Sequence, residues 1–339
     1  MRKRDMQNSQ KEKMKFGIVP IEGVKYYAQA LEEVQFAEEL GFDSAFIQER
    51  HLVQDHFWAS PLIAASAMLA GTSRIKVGTG ILISPFHHPV HLAEDIAILD
   101  ITSCGRFIFG TAIGYKPDEF DLYGIDPSSR GARFEESMHI VKRLWTEGKI
   151  DFHGKFYTIK TDAFEPRPHT KPHPPLWIGG QGPLMLKRAA LFADAWIPGV
   201  SIALDQLLPL KEAFLKHRKE AGIKIPDEWP LNREVVIAET RTGAWELAEK
   251  YLLPFYQKTY VGNWKHRYIT ADMVKDLQQL AKDRFIIGSP DDVVSEIRRY
   301  KDVYGTNYVI CRFFFGNIPH ETIMKELELF AKTVMPTFG

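Results

Sequence analysis

"KVGTGILISPFHHPVHLAEDIAILDITSCGRFIFGTAIGY", residues 76–115, is the stretch whose reading decides the fold. It opens on apolar and small residues, breaks at Pro85, passes through "AEDIAILD" with helical apolar spacing, and closes on a second apolar run. Strand, loop, helix and strand in that order make a βα unit, the building block of a parallel sheet.

The same alternation recurs outward in both directions. Strand candidates are "KFGIVP" from 15, "SAFIQ" from 44, "KVGTGILI" from 76, "RFIFGTAIG" from 106, "PLWIGG" from 175, "DAWIPGV" from 194, "EVVIAET" from 234 and "NYVICRFFF" from 307. Between them, Phe134, Met138, Val141 and Trp145 share one helical stripe, as do Ile323, Leu327, Phe330 and Val334. "GSPDDVVSEIRRY" carries its own helix start, with Ser289 as cap, Pro290 in the first turn and Asp291 and Asp292 at the positive end of the dipole.

Eight strands alternating with helices predict an α/β fold of the (β/α)8 TIM-barrel type, with chemistry gathered at the C-terminal strand ends. Residues 14–339 read as one such domain, and residues 1–13 as a disordered extension. Two segments exceed a minimal barrel: 147–174, where "DFHGKFYTIK" has the pattern of a hairpin, and 241–286.

Composition narrows the partners. Lys plus Arg and Asp plus Glu both number 43 in 339 residues, so no long-range positive field favours nucleic acid or an anionic membrane. No apolar run approaches the roughly 20 residues that cross a bilayer. With only Cys104 and Cys311, the chain fits a cytoplasmic protein whose thiols are buried and apolar-like. A small-molecule ligand is the expectation.

Three strand ends carry candidate chemistry. After the second strand, "FIQERH" sets Glu49 and His51 on one face with Arg50 opposite, suiting acid/base work or anion binding. A salt-bridge network closing the barrel end accounts for the same residues. After the fifth strand, Gly179, Gly180 and Gly182 precede a helix. There, backbone N–H groups can converge on a phosphate, or glycine merely meets a tight turn's dihedrals. Arg130 and Arg133 begin the helix after the fourth strand, where a nearby anion would offset their opposition to the dipole; surface pairing explains each singly. His87, His88 and His91 lack the spacing of a metal-binding helix pair, so they read as packing, capping and rim residues, with no metal expected.

Taken in order, "MKFGIVP", "LGFDSAFIQERHL", the opening stretch, "RGARFEESMHIVKRLW" and "PPLWIGGQGPLMLKRAALFADAW" resemble the bacterial luciferase-like flavin monooxygenases. The resemblance spans nearly everything from residue 14 onward and is weakest over about 241–285. It implies a TIM barrel holding reduced FMN, or in one branch the deazaflavin F420, at the C-terminal strand ends. It also implies that the third strand passes beneath the flavin ring, with a cis peptide at Gly80–Ile81, and that Ala112, Ile113 and Gly114 lie beside the ring. Arg130 and the turn Gly180, Gln181 and Gly182 are implied to hold the phosphate. A second phosphate arginine of luciferase is matched by Ile113, and Arg133 is expected to compensate.

In luciferase the second strand ends Glu-His-His, and Arg50 here replaces its first histidine. His51 is therefore expected as the acid/base group, oriented by Glu49, with Arg50 holding anionic substrate or flavin. The implied activity is that of a two-component monooxygenase: a separate reductase supplies reduced FMN, oxygen forms a C4a-hydroperoxyflavin, and a small organic substrate is oxygenated by a homodimeric enzyme. Residues 258–285, with Tyr260, Trp264 and Phe314, are expected to exclude water from the mouth. The alternatives are F420-dependent hydride transfer, a non-catalytic flavin-binding protein and a metal-dependent barrel hydrolase.

Overall fold

The computed structural model describes residues 13–51, 58–264, 266 and 268–339. The expected extension over 1–13 lies outside them except for Lys13. The described residues form twelve strands: β1 Lys15–Val19, β2 Ser44–Ile47, β3 Lys76–Thr79, β4 Leu82–Ile83, β5 Phe107–Ala112, β6 Ile150–His153, β7 Thr158–Thr161, β8 Leu176–Gly179, β9 Ala195–Ile197, β10 Pro230–Ile237, β11 Ile286–Gly288 and β12 Tyr308–Arg312. Each of the expected runs holds a strand, and "KVGTGILI" holds two because the chain breaks at Gly80–Ile81, where the peptide bond is cis.

The main sheet is parallel and runs β11-β10-β12-β1-β2-β3-β5-β8-β9, with β4 paired to β5. A closed eight-stranded ring requires β9 to pair with β10. The two strands lie in contact, but among the described residues the hydrogen-bonded path is open between them. β10 starts earlier than expected and divides its pairing, Pro230–Glu234 along β12 and Val235–Ile237 along β11. The result is an open α/β sheet consistent with a TIM-like barrel carrying insertions. Segment 147–174 does hold an antiparallel hairpin, β6–β7.

Inside the sheet's curve, Phe46 stacks on Trp177 at 5.2 Å and Tyr308 meets Trp177 edge-on, while the Tyr308 hydroxyl donates to Ser44 Oγ at 2.6 Å. These large rings fill the interior, and partly buried Ile81 packs on that inner cluster. A separate, larger core lies between sheet and helices, and it takes up both predicted stripes: Phe134, Met138, Val141 and Trp145, and Ile323, Leu327, Phe330 and Val334. Ser289 caps the helix Pro290–Tyr304 in a reciprocal box with Asp292. One expectation fails: Cys311 is buried, but Cys104 is exposed, because it takes a left-handed turn (φ 55°) after the helix Pro89–Thr102.

Candidate active site

The end of β2 is fastened to the break in the third strand. Gly80 N–H donates to the Ile47 carbonyl at 2.7 Å, and Glu49 N–H to the Ile81 carbonyl at 3.1 Å. This brings the Glu49 carboxylate under the loop after β4, where it accepts from Ile83 N–H, contacts His51 Nε2 at 2.8 Å and lies 3.5 Å from His87 Nε2. Glu49 and His51 are both buried. Burial works to raise the Glu49 carboxyl, yet hydrogen bonds from His51 and His87, the charge of His87 and the Ile83 N–H outweigh it and hold the group below its ordinary range.

His51 is gripped on three further sides. Its backbone N–H donates to Glu119 Oε1 at 3.2 Å, Tyr123 Oη lies 3.2 Å from Nδ1, and Phe86 meets the ring edge-on. With Nε2–H donating to Glu49, Nδ1 is free to accept from Tyr123. Burial, and after it the charges of Glu49 and Glu119, keep the Tyr123 hydroxyl above its ordinary range, so the phenol stays protonated.

Arg50 points away from this pair, as alternation requires. Its Nη1 donates to Tyr115 Oη at 2.8 Å, and its guanidinium lies 4.3 Å from the centre of the Trp264 ring. His266 stands beside Tyr115 and Tyr260. Burial and the Arg50 charge lower its imidazole to about 4, so it is neutral at pH 7. The end of β2, the loop after β5, residues 256–264 and His266 thus meet around Arg50. Tyr260, Trp264 and Phe314 are all buried.

The expected flavin-facing positions fall into two groups. A Cβ placed on Gly179 would lie 3.4 Å from Ile81 Cγ2 and 3.7 Å from Ala112 Cβ, so these three small or apolar positions converge above the barrel interior. Gly80 sits against Phe46, and Gly114 takes a left-handed turn (φ 72°) against Ile83 and Phe120. Farther out, Gly182 is the N-cap of the helix Pro183–Phe192 and offers no side-chain cap to its N–H groups. Gln181 leans on Gly199. Arg130 donates to the Pro127 carbonyl, and its buried Nε has no hydrogen-bond partner among the described residues. Arg133 turns to the hairpin instead, 4.5 Å from the centre of the Phe156 ring. An orphaned guanidinium nitrogen, an uncapped helix start and a floor of small residues fit a flat cofactor with a phosphate tail.

Of the three loop histidines, His88 caps the helix Pro89–Thr102, His91 faces Glu94 at the surface, and His87 reaches Glu49. Among the described residues no cluster of three His, Cys, Asp or Glu could hold a metal. Sequence reasoning missed Tyr123 and Glu119, which reach His51 from the helical turn Pro117–Leu122 and the residue after it. It also missed Arg312 at the end of β12, whose buried guanidinium lies 3.6 Å from Glu22 and 3.5 Å from Glu234, both buried as well. A charge closing an apolar strand, as Arg312 does in "YVICR", was the available signal.

Comparison with known proteins agrees with this geometry. The luciferase-like monooxygenase family model matches residues 7–307. The chain is 25% identical to the oxygenase component of flavin-dependent trigonelline monooxygenase of Acinetobacter baylyi, over 92% of this chain and 90% of that protein. It is 28% identical to an F420-dependent glucose-6-phosphate dehydrogenase of Amycolatopsis mediterranei, over 88% and 91%. Among solved structures, the FMN complex of the oxygenating constituent of 3,6-diketocamphane monooxygenase from Pseudomonas putida superposes with a TM-score of 0.77 at 21% identity, over 95% of this chain and 98% of that one. These relatives are oxidoreductases, some flavin-dependent and some F420-dependent. A break in the third strand beneath a small-residue floor, a buried Glu–His pair beside it and a family match over most of the length lead to one conclusion: the chain belongs to the luciferase-like monooxygenase family.

Proposed function

We propose that the protein is the oxygenase of a two-component flavin-dependent monooxygenase, supplied with reduced FMN by a separate reductase and acting on a small organic substrate. The observation that carries this reading is the junction itself, where the Glu49–His51 pair hangs from the carbonyl of Ile81, the residue that forms one floor with Ala112 and Gly179. In this reading Gly80, Ile81, Ala112 and Gly114 face the flavin ring. Arg130, Gly180, Gln181 and Gly182 take its phosphate, with Arg133 outside them.

Bound reduced FMN supplies the electrons with which dioxygen is activated. The chain's own work is proton control and exclusion of water. His51 holds a proton at Nε2 against Glu49 and accepts a hydrogen bond at Nδ1 from Tyr123, a residue 42% exposed that links the buried pair to the mouth. Arg50 fixes a positive charge beside the mouth, and Trp264 and Tyr260 cover it. The connected Glu49–His51–Tyr123 chain supports turnover over flavin binding alone.

Hydride transfer with F420 is the second reading, favoured by the F420-dependent relative. Incubation with a flavin reductase, FMN, candidate substrates and isotopically labelled dioxygen separates the two. Incorporation of one labelled atom into product is expected; product formed with F420 and without oxygen uptake would reverse the assignment.

A second copy of the chain is proposed as partner, through the exposed Ile63, Ile98 and Ile101 on the helices Pro61–Ala70 and Pro89–Thr102.

A further inference from the structure

The C-terminal end of β12 holds a second buried polar group, apart from Glu49 and His51. Parallel register sets Arg312 beside Glu234 of β10 and Val19 of β1, and Glu22 follows three residues after Val19. Arg312 is 1% exposed and Glu22 and Glu234 are fully buried. The guanidinium lies 3.6 Å from Glu22 Oε2 and 3.5 Å from Glu234 Oε1, beyond good hydrogen-bond length. Tyr256 donates to Glu234 Oε1 at 3.0 Å. Even so, Arg312 Nε and Nη2 and one oxygen of each carboxylate have no hydrogen-bond partner among the described residues. Buried donors of a charged group are seldom left unmet without a reason.

Arg312 also forms part of the wall of a cavity of about 300 Å³, between the helical segment 248–263 and the loop after β12. That segment winds as π-helix over Ala248–Leu252 and Tyr256–Asn263, a form that recurs at functional sites. The loop approaches so closely that a Cβ on Gly316 would lie 3.3 Å from the Tyr251 carbonyl oxygen. Phe255 and Phe314 line the cavity, with the Phe255 ring centre 5.3 Å from the Arg312 guanidinium. Lys250 and Lys258 line it too; both are exposed, and neither pairs with an acid among the described residues.

We propose that this cavity binds the organic substrate, that the substrate carries a carboxylate on a flat apolar body, and that Arg312 reads the carboxylate. A planar guanidinium with two unmet donors matches a carboxylate's two oxygens. The aromatic side chains match a flat ring, and the lysines attract an anion from solution. The volume is at the small end for ligand sites and suits a one- or two-ring acid. Burial pushes the Glu22 carboxyl up to about 8 and raises Glu234 as well, so burial disfavours the charged form of both acids beside Arg312. Calling the ligand the substrate rests on the proposed monooxygenase function; binding of the carboxylate does not.

The test is calorimetric titration of the full chain, without flavin, with benzoate and with the isosteric neutral benzamide. Benzoate is expected to bind at least about tenfold more tightly, and Arg312→Met to remove that preference while leaving benzamide unchanged. Should Arg312→Met fail to fold by circular dichroism, the exposed double variant Lys250→Glu/Lys258→Glu decides, with a several-fold loss for benzoate alone. Equal binding of the two probes, or a preference untouched by the variants that fold, overturns the proposal. A separate titration with reduced FMN keeps the two readings distinct. Flavin binding without carboxylate preference defeats this site only, whereas carboxylate preference without flavin binding defeats the monooxygenase reading and leaves the site standing.

Discussion

Glu49 is a buried carboxylate with an acceptor job on both oxygens, and His51 is the group it orients. Replacing His51 by Ala removes the only imidazole bridging Glu49 and Tyr123 among the described residues. Turnover is expected to fall by about 100-fold with flavin affinity within about twofold, measured by steady-state kinetics and flavin fluorescence. Loss of flavin binding with unchanged turnover of the bound fraction would assign His51 to the cofactor instead. Arg130 makes the opposite prediction. Its buried, unpaired Nε implies that Arg130→Ala weakens FMN by about 10- to 100-fold and leaves the saturated rate near wild type. Residue identities at the end of β2 were readable in advance because strand alternation alone puts positions 49 and 51 together. Tyr123 and Glu119 were not, since only the fold of the loop after β5 brings them to His51.

Elements were legible where periodicity was long. Every expected strand run is occupied, and the helices Arg130–Glu147 and Pro290–Tyr304 bury the stripes or carry the caps that their sequences announce. β11 escaped notice because three residues establish no period, and the first half of β10 did because it begins with Pro230 and includes Asn232 and Arg233, polar residues that end up buried. Strand spacing sets a sharp limit at Gly110, where a Cβ would sit 1.8 Å from the Thr79 carbonyl oxygen. Gly110→Ala is expected to cost at least about 3 kcal/mol, seen as a large fall in Tm or loss of soluble protein; an unchanged Tm would refute that packing. The helix His320–Thr333 is tied to Tyr27–Leu40 by His320, which contacts Glu33 at 2.9 Å and Glu32 at 3.1 Å. The Glu33 hydrogen bond, against partial burial, raises the imidazole above its ordinary value. A raised histidine contributes stability that is complete below the unfolded value near 6.5 and fades as pH climbs through the folded value. His320→Gln should therefore flatten the decline of Tm with pH in that window, relative to wild type. A parallel decline in both proteins would show that the clasp adds no such linkage.

The whole molecule follows from parallel order more than from any single motif. Register across β10, β12 and β1 assembles Glu234 and Arg312, while Glu22 arrives from the loop beyond β1; such a set is invisible to spacing along one segment. The barrel-like order was legible from the alternation of strands and helices, whereas the open path at β9 and the added β11 depend on pairing that sequence does not display. The exposed Ile63, Ile98 and Ile101 make a prediction at this scale. Sedimentation should give about twice 38.8 kDa, and Ile98→Glu/Ile101→Glu should return the protein to a monomer; a monomeric wild type would remove the proposed second copy. The central claim, a barrel mouth built for reduced FMN, is tested most directly by anaerobic titration of the protein with reduced FMN and reduced F420 in parallel. The account predicts saturable binding of reduced FMN that is tighter than that of F420. Preference for F420, or no binding of either, would contradict it.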